Sequence, residues 1–483
     1  MEKLGAFDQL FYKADQYQVA TMIMGGASIL APARKGGRLN ARAIAGHLGA
    51  RLGKIPLMRV KLVQDQLRLG SMHKIQDTNF DIDDHINVIS LPKGAGYAEL
   101  SECLAEQSAI PLDLPNLWRW TVIEGLKGGK LAIFCKVHHA LADGVGLMEA
   151  LSSIYDPEPV RPEKLATASF EAEEEPSNYQ LLRAAVAESA SRLVVKTPRF
   201  IAKNAGPILS SVGSGVRELW EARNDPDSSF AMPEVSPTSL NTSEYSGRRA
   251  VAWKTLSLPE IKTLARHFDC KVNDIGLLLY SWAMQHYFAG TGEDIDFDLW
   301  CAMPMSTRTS SSGEGGNQVT VARLSLHNTL TDPLERLKAI NQDALKLKQT
   351  MRPEQPVIDM EELADLVFPT VLDGLLYLSG KFNLLGRLGG RFAVANALFS
   401  NVPGPPSQVC VANAVMVESI PMIPAVDVLA VSGGITSVDQ AITIGFHCDG
   451  GVVENPGLFL EGIDAGMAAL TAAMEKPGEY YDL

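Results

Sequence analysis

A strand, a turn and a helix are written into residues 130–147, and a pair of histidines stands where the strand ends. From Lys130 to Val137, Leu131, Ile133, Cys135 and Val137 alternate with the other side chains, the period of a strand with two distinct faces. His138, His139, Ala140, Leu141, Ala142, Asp143 and Gly144 follow, giving the run His-His-x-x-x-Asp-Gly. If the alternation persists, His138 and His139 face opposite ways, so one can enter a cavity while the other meets structure. Gly144 and Gly146 let the chain turn tightly, or let a substrate approach the backbone, and a helical pattern starts near Leu147. A histidine at a strand end, with an acid four residues on and glycine beside it, suits a general base for acyl transfer.

Two histidines alone also fit a purely structural reading, as a core histidine and its neighbour, with Asp143 capping the next helix. A zinc site would need further ligands. Cys135 shares a face with His139 only, and no Cys-x-x-Cys or His-x-x-x-His partner exists, so no metal is expected. The complete pattern in its strand–loop–helix setting favours catalysis.

Composition sets the outer bounds. A chain of 483 residues exceeds one ordinary core and points to two domains. Hydrophobic content of 46% and charged content of 20% describe a globular protein. A net charge of −13 argues against nucleic acid as the main partner. Cys103, Cys135, Cys270, Cys301, Cys410 and Cys448 lack motif spacing, as expected of free thiols in a reducing cytoplasm. Met1 to Asp8 carries charges of both signs and no apolar core, and apolar runs are broken by Pro, Asn and Gly, so the expectation is a soluble or peripheral protein without a signal peptide or membrane span.

Residues 1–158 read as a mixed unit: a helix over Leu39–Gly46, a strand over Asp83–Leu91, and strands Trp118–Ile123 and Leu131–Val137 around the hairpin signal Lys127-Gly128-Gly129-Lys130. Residues 159–246 read as a linker: prolines, an acidic patch, a cationic helical pattern, then a Ser/Thr/Pro-rich tract. Residues 247–483 form a second mixed unit. Ser257 with Glu260 opens one helix, Asn273 the next, and strand-like runs follow at Ile295–Met303, Gln318–Leu326, Val411–Val417 and Ala441–His447. The fold class is α/β (α+β).

The histidine run resembles the signature of the acyltransferase superfamily with the chloramphenicol acetyltransferase-like fold. Further stretches resemble the bacterial wax ester synthase/diacylglycerol acyltransferase family. They are the opening Asp8 to Phe11, Pro111-Leu112-Asp113 followed by Asn116-Leu117-Trp118, Asn273-Asp274, Met303-Pro304 with Arg308, Gly316-Asn317, and Asn401-Val402-Pro403-Gly404-Pro405. They keep family order over almost the whole chain, and Asn116 stands where the family usually has proline. The resemblance implies two chloramphenicol acetyltransferase-like domains, mixed sheets flanked by helices, with the site between lobes. It implies an alcohol attacking an acyl-coenzyme A thioester, with acyl-coenzyme A as co-substrate, no cofactor, and a fatty alcohol or diacylglycerol as acceptor. It makes His139 the base, with His138 and Gly144 completing the motif. Asp143 becomes a structural acid, with Arg308 as candidate partner. Trp118, Asn273, Asp274, Asn401, Pro403 and Gly404 would lie near the substrate channel. On the residues alone, Asn273 reads as a helix cap and Pro403-Gly404 as a turn.

Direct attack on the thioester is favoured over a covalent intermediate, because no Gly-x-Ser-x-Gly elbow and no Cys–His nucleophile pattern is present. Two cationic stretches, Arg183 to Lys203 and the region of Lys381, Arg387 and Arg391, either meet an anionic membrane or lipid-droplet surface, or coenzyme A phosphates, or simply pack as a linker helix and a core helix. The expected location is cytoplasmic, peripheral to the inner membrane or lipid inclusions. A condensation-type acyltransferase using a carrier-protein thioester, and a non-catalytic lipid-surface protein, are the alternatives.

Overall fold

The computed structural model describes residues 1–475 apart from 18, 20, 142–146, 148–149, 164–173, 204–234, 242–245, 307–318, 351–363, 384–393, 403, 406 and 425–428, and apart from the side chains of 305–306, 319–320 and 348–350. The first half opens with β1 (Glu2–Lys3), α1 (Ala6–Gln16), β2 (Ile23–Pro32) and α2 (Ala41–Leu52). Asn40 caps α2, its side chain accepting from the Ala43 N–H at 3.0 Å, and Ile44, Leu48 and Leu52 bury the stripe that helical spacing places on one face. β3 (Val60–Val63), β4 (His73–Gln76), β5 (Ile86–Ala95) and α3 (Tyr97–Ala109) follow, then the hairpin of β6 (Trp118–Leu126) and β7 (Leu131–His138). Gly128 and Gly129 carry φ of 78° and 70° at its tip, a backbone region open to glycine at no steric cost, so the Lys-Gly-Gly-Lys signal found the turn.

The connecting segment holds α4 (Asn178–Ser191), which runs through a wider turn, Arg192–Lys196, and remains helical to residue 203. The second half contains β8 (Arg249–Ser257), α5 (Leu258–His267), α6 (Val272–Thr291), β9 (Trp300–Ser306), β10 (Val319–Ser325), α7 (Pro333–Thr350), α8 (Pro369–Phe382), β11 (Ala397–Asn401), β12 (Cys410–Val411), β13 (Ala414–Met422), β14 (Val431–Val438), β15 (Ala441–Asp449) and α9 (Gly457–Met474).

Two six-stranded mixed sheets result, in the orders β12-β13-β2-β7-β6-β5 and β10-β9-β11-β14-β15-β8. The break expected at residue 247 therefore does not divide the sheets. β12 and β13 come from the second half yet complete the first sheet, β13 lying antiparallel to β2 from Ala414 opposite Pro32 to Met422 opposite Gly25. Two glycines admit this crossing: a Cβ at Gly445 would sit 2.6 Å from the Pro421 carbonyl oxygen, and one at Gly434 would sit 2.7 Å from Ile423.

Each half has its own apolar core, and a third cluster joins them: Ile29, Leu104 and Phe134 from the first half meet Trp253, Ile420 and Met422 from the second. Across the same seam, the buried Glu418 carboxylate accepts from the Tyr97 hydroxyl and from Thr255 Oγ1. α9 is apolar and long enough to cross a membrane by length and composition. It nevertheless carries Glu461 and Asp464, and buries Phe459, Ile463 and Leu470 in the second core, with Gly462 close against α6 at Ala283.

Candidate active site

His138 ends β7, and the sheet holds both histidines from either side. The His138 N–H donates to the Leu117 carbonyl at 2.7 Å, and the His139 N–H donates to the Met22 carbonyl at 2.8 Å. α1 then packs an aromatic side chain against each ring. Tyr12 lies 5.7 Å from the His138 ring and Phe11 lies 5.2 Å from the His139 ring, centroid to centroid. Phe11 belongs to the opening stretch that resembles the family, so that signal marks a wall of this site.

The two side chains occupy different environments. His138 is fully buried, and burial first, with the neighbouring His139 second, pushes its pKa down to about 3. Its Nδ1 accepts from the Ala140 N–H at 3.0 Å, which places the proton on Nε2. Nε2 faces the Asp15 carboxylate at 3.7 Å, beyond direct hydrogen-bond reach. Asp15 is itself raised above the usual carboxylate range by burial, and its Oδ1 accepts from the Met22 N–H at 3.4 Å. His139 is less deeply buried. The two neighbouring histidines thus differ: one imidazole is locked, neutral and fully buried, and the other is partly exposed.

Beside this strand end a small cleft opens at the seam between the halves, lined among others by Ile23, Ser108, Lys136, Arg249 and His447. Neither histidine is among its described lining residues, but Ile23 is the register partner of His138. Lys136 donates to the Gln107 and Ile110 carbonyls at the end of α3, and burial brings its pKa down to about 8. His447 is brought down to about 4, again by burial, and its Nδ1 lies 2.9 Å from the Ile423 carbonyl oxygen. No motif marks Lys136, Arg249 and His447 in the sequence, because they lie on three separate strands, β7, β8 and β15.

The remaining site residues fall elsewhere. Trp118 is not beside the cleft but in the first core: its Nε1 donates to the Met58 carbonyl at 2.7 Å and its ring stacks on His85 at 4.3 Å. It pairs in register with Val137, so it supports the strand end from behind. Asn273 is not the cap of α6. Lys271 holds that position, and Asp274, accepting from the Lys271 N–H at 2.9 Å, supplies the capping carboxylate, because the helix begins two residues earlier than a cap at Asn273 would place it. Asn273 instead accepts from Asn401 Nδ2 at 3.0 Å. That bond unites two stretches far apart in sequence, at the end of β11, which runs beside β14. There Val402 donates to the Ile435 carbonyl at 3.0 Å, and Gly404 lies so close to Ser437 that a Cβ would land on its carbonyl oxygen. Asp143, Gly144, Arg308 and Pro403 lie outside the described residues, as does Gly316-Asn317.

Known proteins resemble this chain in sequence and in fold. Residues 4–276 match the wax ester synthase/diacylglycerol acyltransferase catalytic domain, and residues 315–471 match the corresponding C-terminal domain. A putative diacylglycerol O-acyltransferase of Mycobacterium bovis is 27% identical over 415 residues, covering 83% of this chain and 77% of that one. A probable diacylglycerol O-acyltransferase of Mycobacterium tuberculosis is 25% identical over 480 residues, covering 99% and 97%. The solved wax ester synthase/diacylglycerol acyltransferase of Marinobacter aquaeolei superposes with a TM-score of 0.66 at 20% identity, over 98% of this chain and 100% of that one. The first condensation domain of the calcium-dependent antibiotic synthetase superposes at 0.52 with 13% identity, over 99% and 97%, which shows a common fold. With its catalytic and C-terminal portions both matched, the chain belongs to the wax ester synthase/diacylglycerol acyltransferase family and is an acyltransferase.

Proposed function

We propose that the protein esterifies long-chain fatty alcohols, diacylglycerol or both with acyl groups from acyl-coenzyme A, and that His139 is the general base. The contrast between the two histidines carries this reading. A base must take a proton near neutral pH and reach the reacting hydroxyl. His138, fully buried and held neutral down to about pH 3, can do neither. His139, anchored at its backbone and less deeply buried, is the better placed of the two to meet a reacting hydroxyl.

The alcohol oxygen attacks the thioester carbonyl carbon as His139 removes its proton. The tetrahedral intermediate collapses, the C–S bond breaks, and the imidazolium returns the proton to the departing coenzyme A thiolate. The chemistry requires no cofactor beyond the acyl-coenzyme A co-substrate. Its acceptors barely dissolve in water, so a cytoplasmic enzyme collects them at the inner membrane or at a lipid inclusion.

Release of coenzyme A from palmitoyl-coenzyme A in the presence of hexadecanol or dioleoylglycerol tests the reading. His139→Ala should slow turnover by roughly 10²–10⁴-fold, the range of a lost general base. Retention of more than half the wild-type rate in His139→Ala, with loss in His138→Ala, would reverse the assignment. The condensation-domain fold similarity keeps a second acceptor class in view: turnover with a carrier-protein thioester and an amine, but not with hexadecanol, would select it.

A further inference from the structure

Among the described residues, more than half of the exposed large apolar side chains lie on two segments, residues 178–203 and 367–382. Both are helical and both are turned inside out. In α8, Val371, Leu375, Leu378 and Phe382 recur at helical spacing and are 53%, 60%, 46% and 49% exposed, while Asp373 on the opposite face is buried. In the α4 segment, Val186, Leu193 and Ile201 form the outward stripe, while Leu181, Ala185, Arg192 and Phe200 are buried. A helix of a water-soluble fold ordinarily buries its apolar stripe. Here the inward faces hold ions as well as a few apolar side chains, and most of the large apolar ones point outward.

Those ions are paired. Glu188 accepts from Lys3 and from Arg192, Asp365 pairs with Lys3 and Lys196, and Asp373 lies 3.2 Å from Lys13 of α1. Every carboxylate of the two described segments is thereby turned inward. Arg192 and Lys196 are spent in these pairs too, so the cationic run read from the sequence does not, as a whole, face outward. What remains beside the apolar stripes is cationic: Arg183, Arg199 and Lys381 are exposed, Lys381 over the rings of Tyr377 and Phe382.

The two helices meet where the Arg192 guanidinium donates to the Asp365 carbonyl at 2.9 Å and lies 6.0 Å from the Phe368 ring. α8 rests on α1, with Gly380 close against the Tyr17 carbonyl. α1 in turn presents Phe11 and Tyr12 to the two histidines. The face is one helix away from the candidate base.

We infer that the outward stripes of α4 and α8, with Arg183, Arg199 and Lys381, form a docking face for a phospholipid surface carrying anionic headgroups. Apolar side chains flanked by cations and freed of outward carboxylates suit such a surface, on a chain whose net charge is −13. The inference rests on the proposed lipid acceptors, for it places their source one helix from His139.

The test uses the full chain and needs no turnover. Flotation with phosphatidylcholine vesicles containing about one third phosphatidylglycerol should recover the protein, and pure phosphatidylcholine should recover roughly tenfold less. The variant Arg183→Gln/Arg199→Gln/Lys381→Gln should lose that preference. Leu193→Asn/Leu375→Asn/Leu378→Asn should bind both vesicles at least tenfold more weakly. The thermal midpoint, and coenzyme A release with detergent-dispersed hexadecanol, should match the wild type in both variants. Absence of wild-type binding, or equal binding by both variants, overturns the face. So does a shift from dimer to monomer in sedimentation with vesicle binding intact, which makes a second copy the occupant. Vesicle binding without any acyl transfer would leave the face standing and sink the proposed reaction.

Discussion

His138 and His139 are neighbours in the chain and differ in what surrounds them. Because His138 is neutral when folded and has an ordinary pKa of 6.5 when exposed, the unfolded chain binds a proton that the folded one refuses between about pH 6.5 and 3. Stability therefore falls with acid across that window, by up to ~1.4 kcal/mol per pH unit from this group. Chemical denaturation of His138→Asn at pH 4 to 6 should show a shallower slope than the wild type; an unchanged slope would mean the imidazole is not buried neutral. Gly404 makes a second case. Alanine there must push its Cβ into the Ser437 carbonyl oxygen, which β14 holds in place, and should cost about 1–3 kcal/mol in the same measurement.

At the scale of elements, the start of α6 separates two asparagine–aspartate roles that the sequence ran together. Asp274 is buried, caps Lys271, and accepts from Asn341 Nδ2 at 2.8 Å. Asp274→Ala should cost roughly 1–2 kcal/mol of stability, the worth of a lost cap. Asn273→Ala removes only the bond to Asn401 and should cost less in stability than Asp274→Ala. Equal losses would show that the cap is not Asp274. Fixed-distance signals served well elsewhere: the Lys-Gly-Gly-Lys turn, Ser257 as the cap of α5, and the alternation of β7 are all where the residues put them. β14 was not anticipated, since Val431–Val438 is interrupted by two glycines and lies buried almost throughout, so it shows no alternation to read.

At the scale of the molecule, one buried arginine ties the linker helix to both halves. Arg192, 2% exposed, reaches Ser71 and Glu188 at 2.8 and 3.0 Å and the Asp365 carbonyl at 2.9 Å. Burial would raise the Glu188 carboxyl, but hydrogen bonds from Lys3 and Ser71 hold it down at about 2. Arg192→Met leaves part of this network uncompensated and should destabilise the chain by about 3 kcal/mol. A smaller loss, under 1 kcal/mol by chemical denaturation, would show that Lys3 and Lys196 suffice.

What the sequence determined by itself is local and short-range: a strand with a histidine pair at its end, a hairpin, several caps, and a two-part α/β chain. Its motif order also carried the family, because each short run keeps its place along the chain. Only the tertiary structure decided which residues meet. Register and packing placed α1 against the histidines, moved β13 into the first sheet, brought Asn273 to Asn401, sent Trp118 into the core, and turned the apolar stripes of α4 and α8 outward. The reason is physical. Helical and strand periods say which side chains share a face, but not which face is covered; that depends on partners hundreds of residues away, such as Asp373 for Lys13 and Asp365 for Lys3, whose pairing leaves no mark on local periodicity.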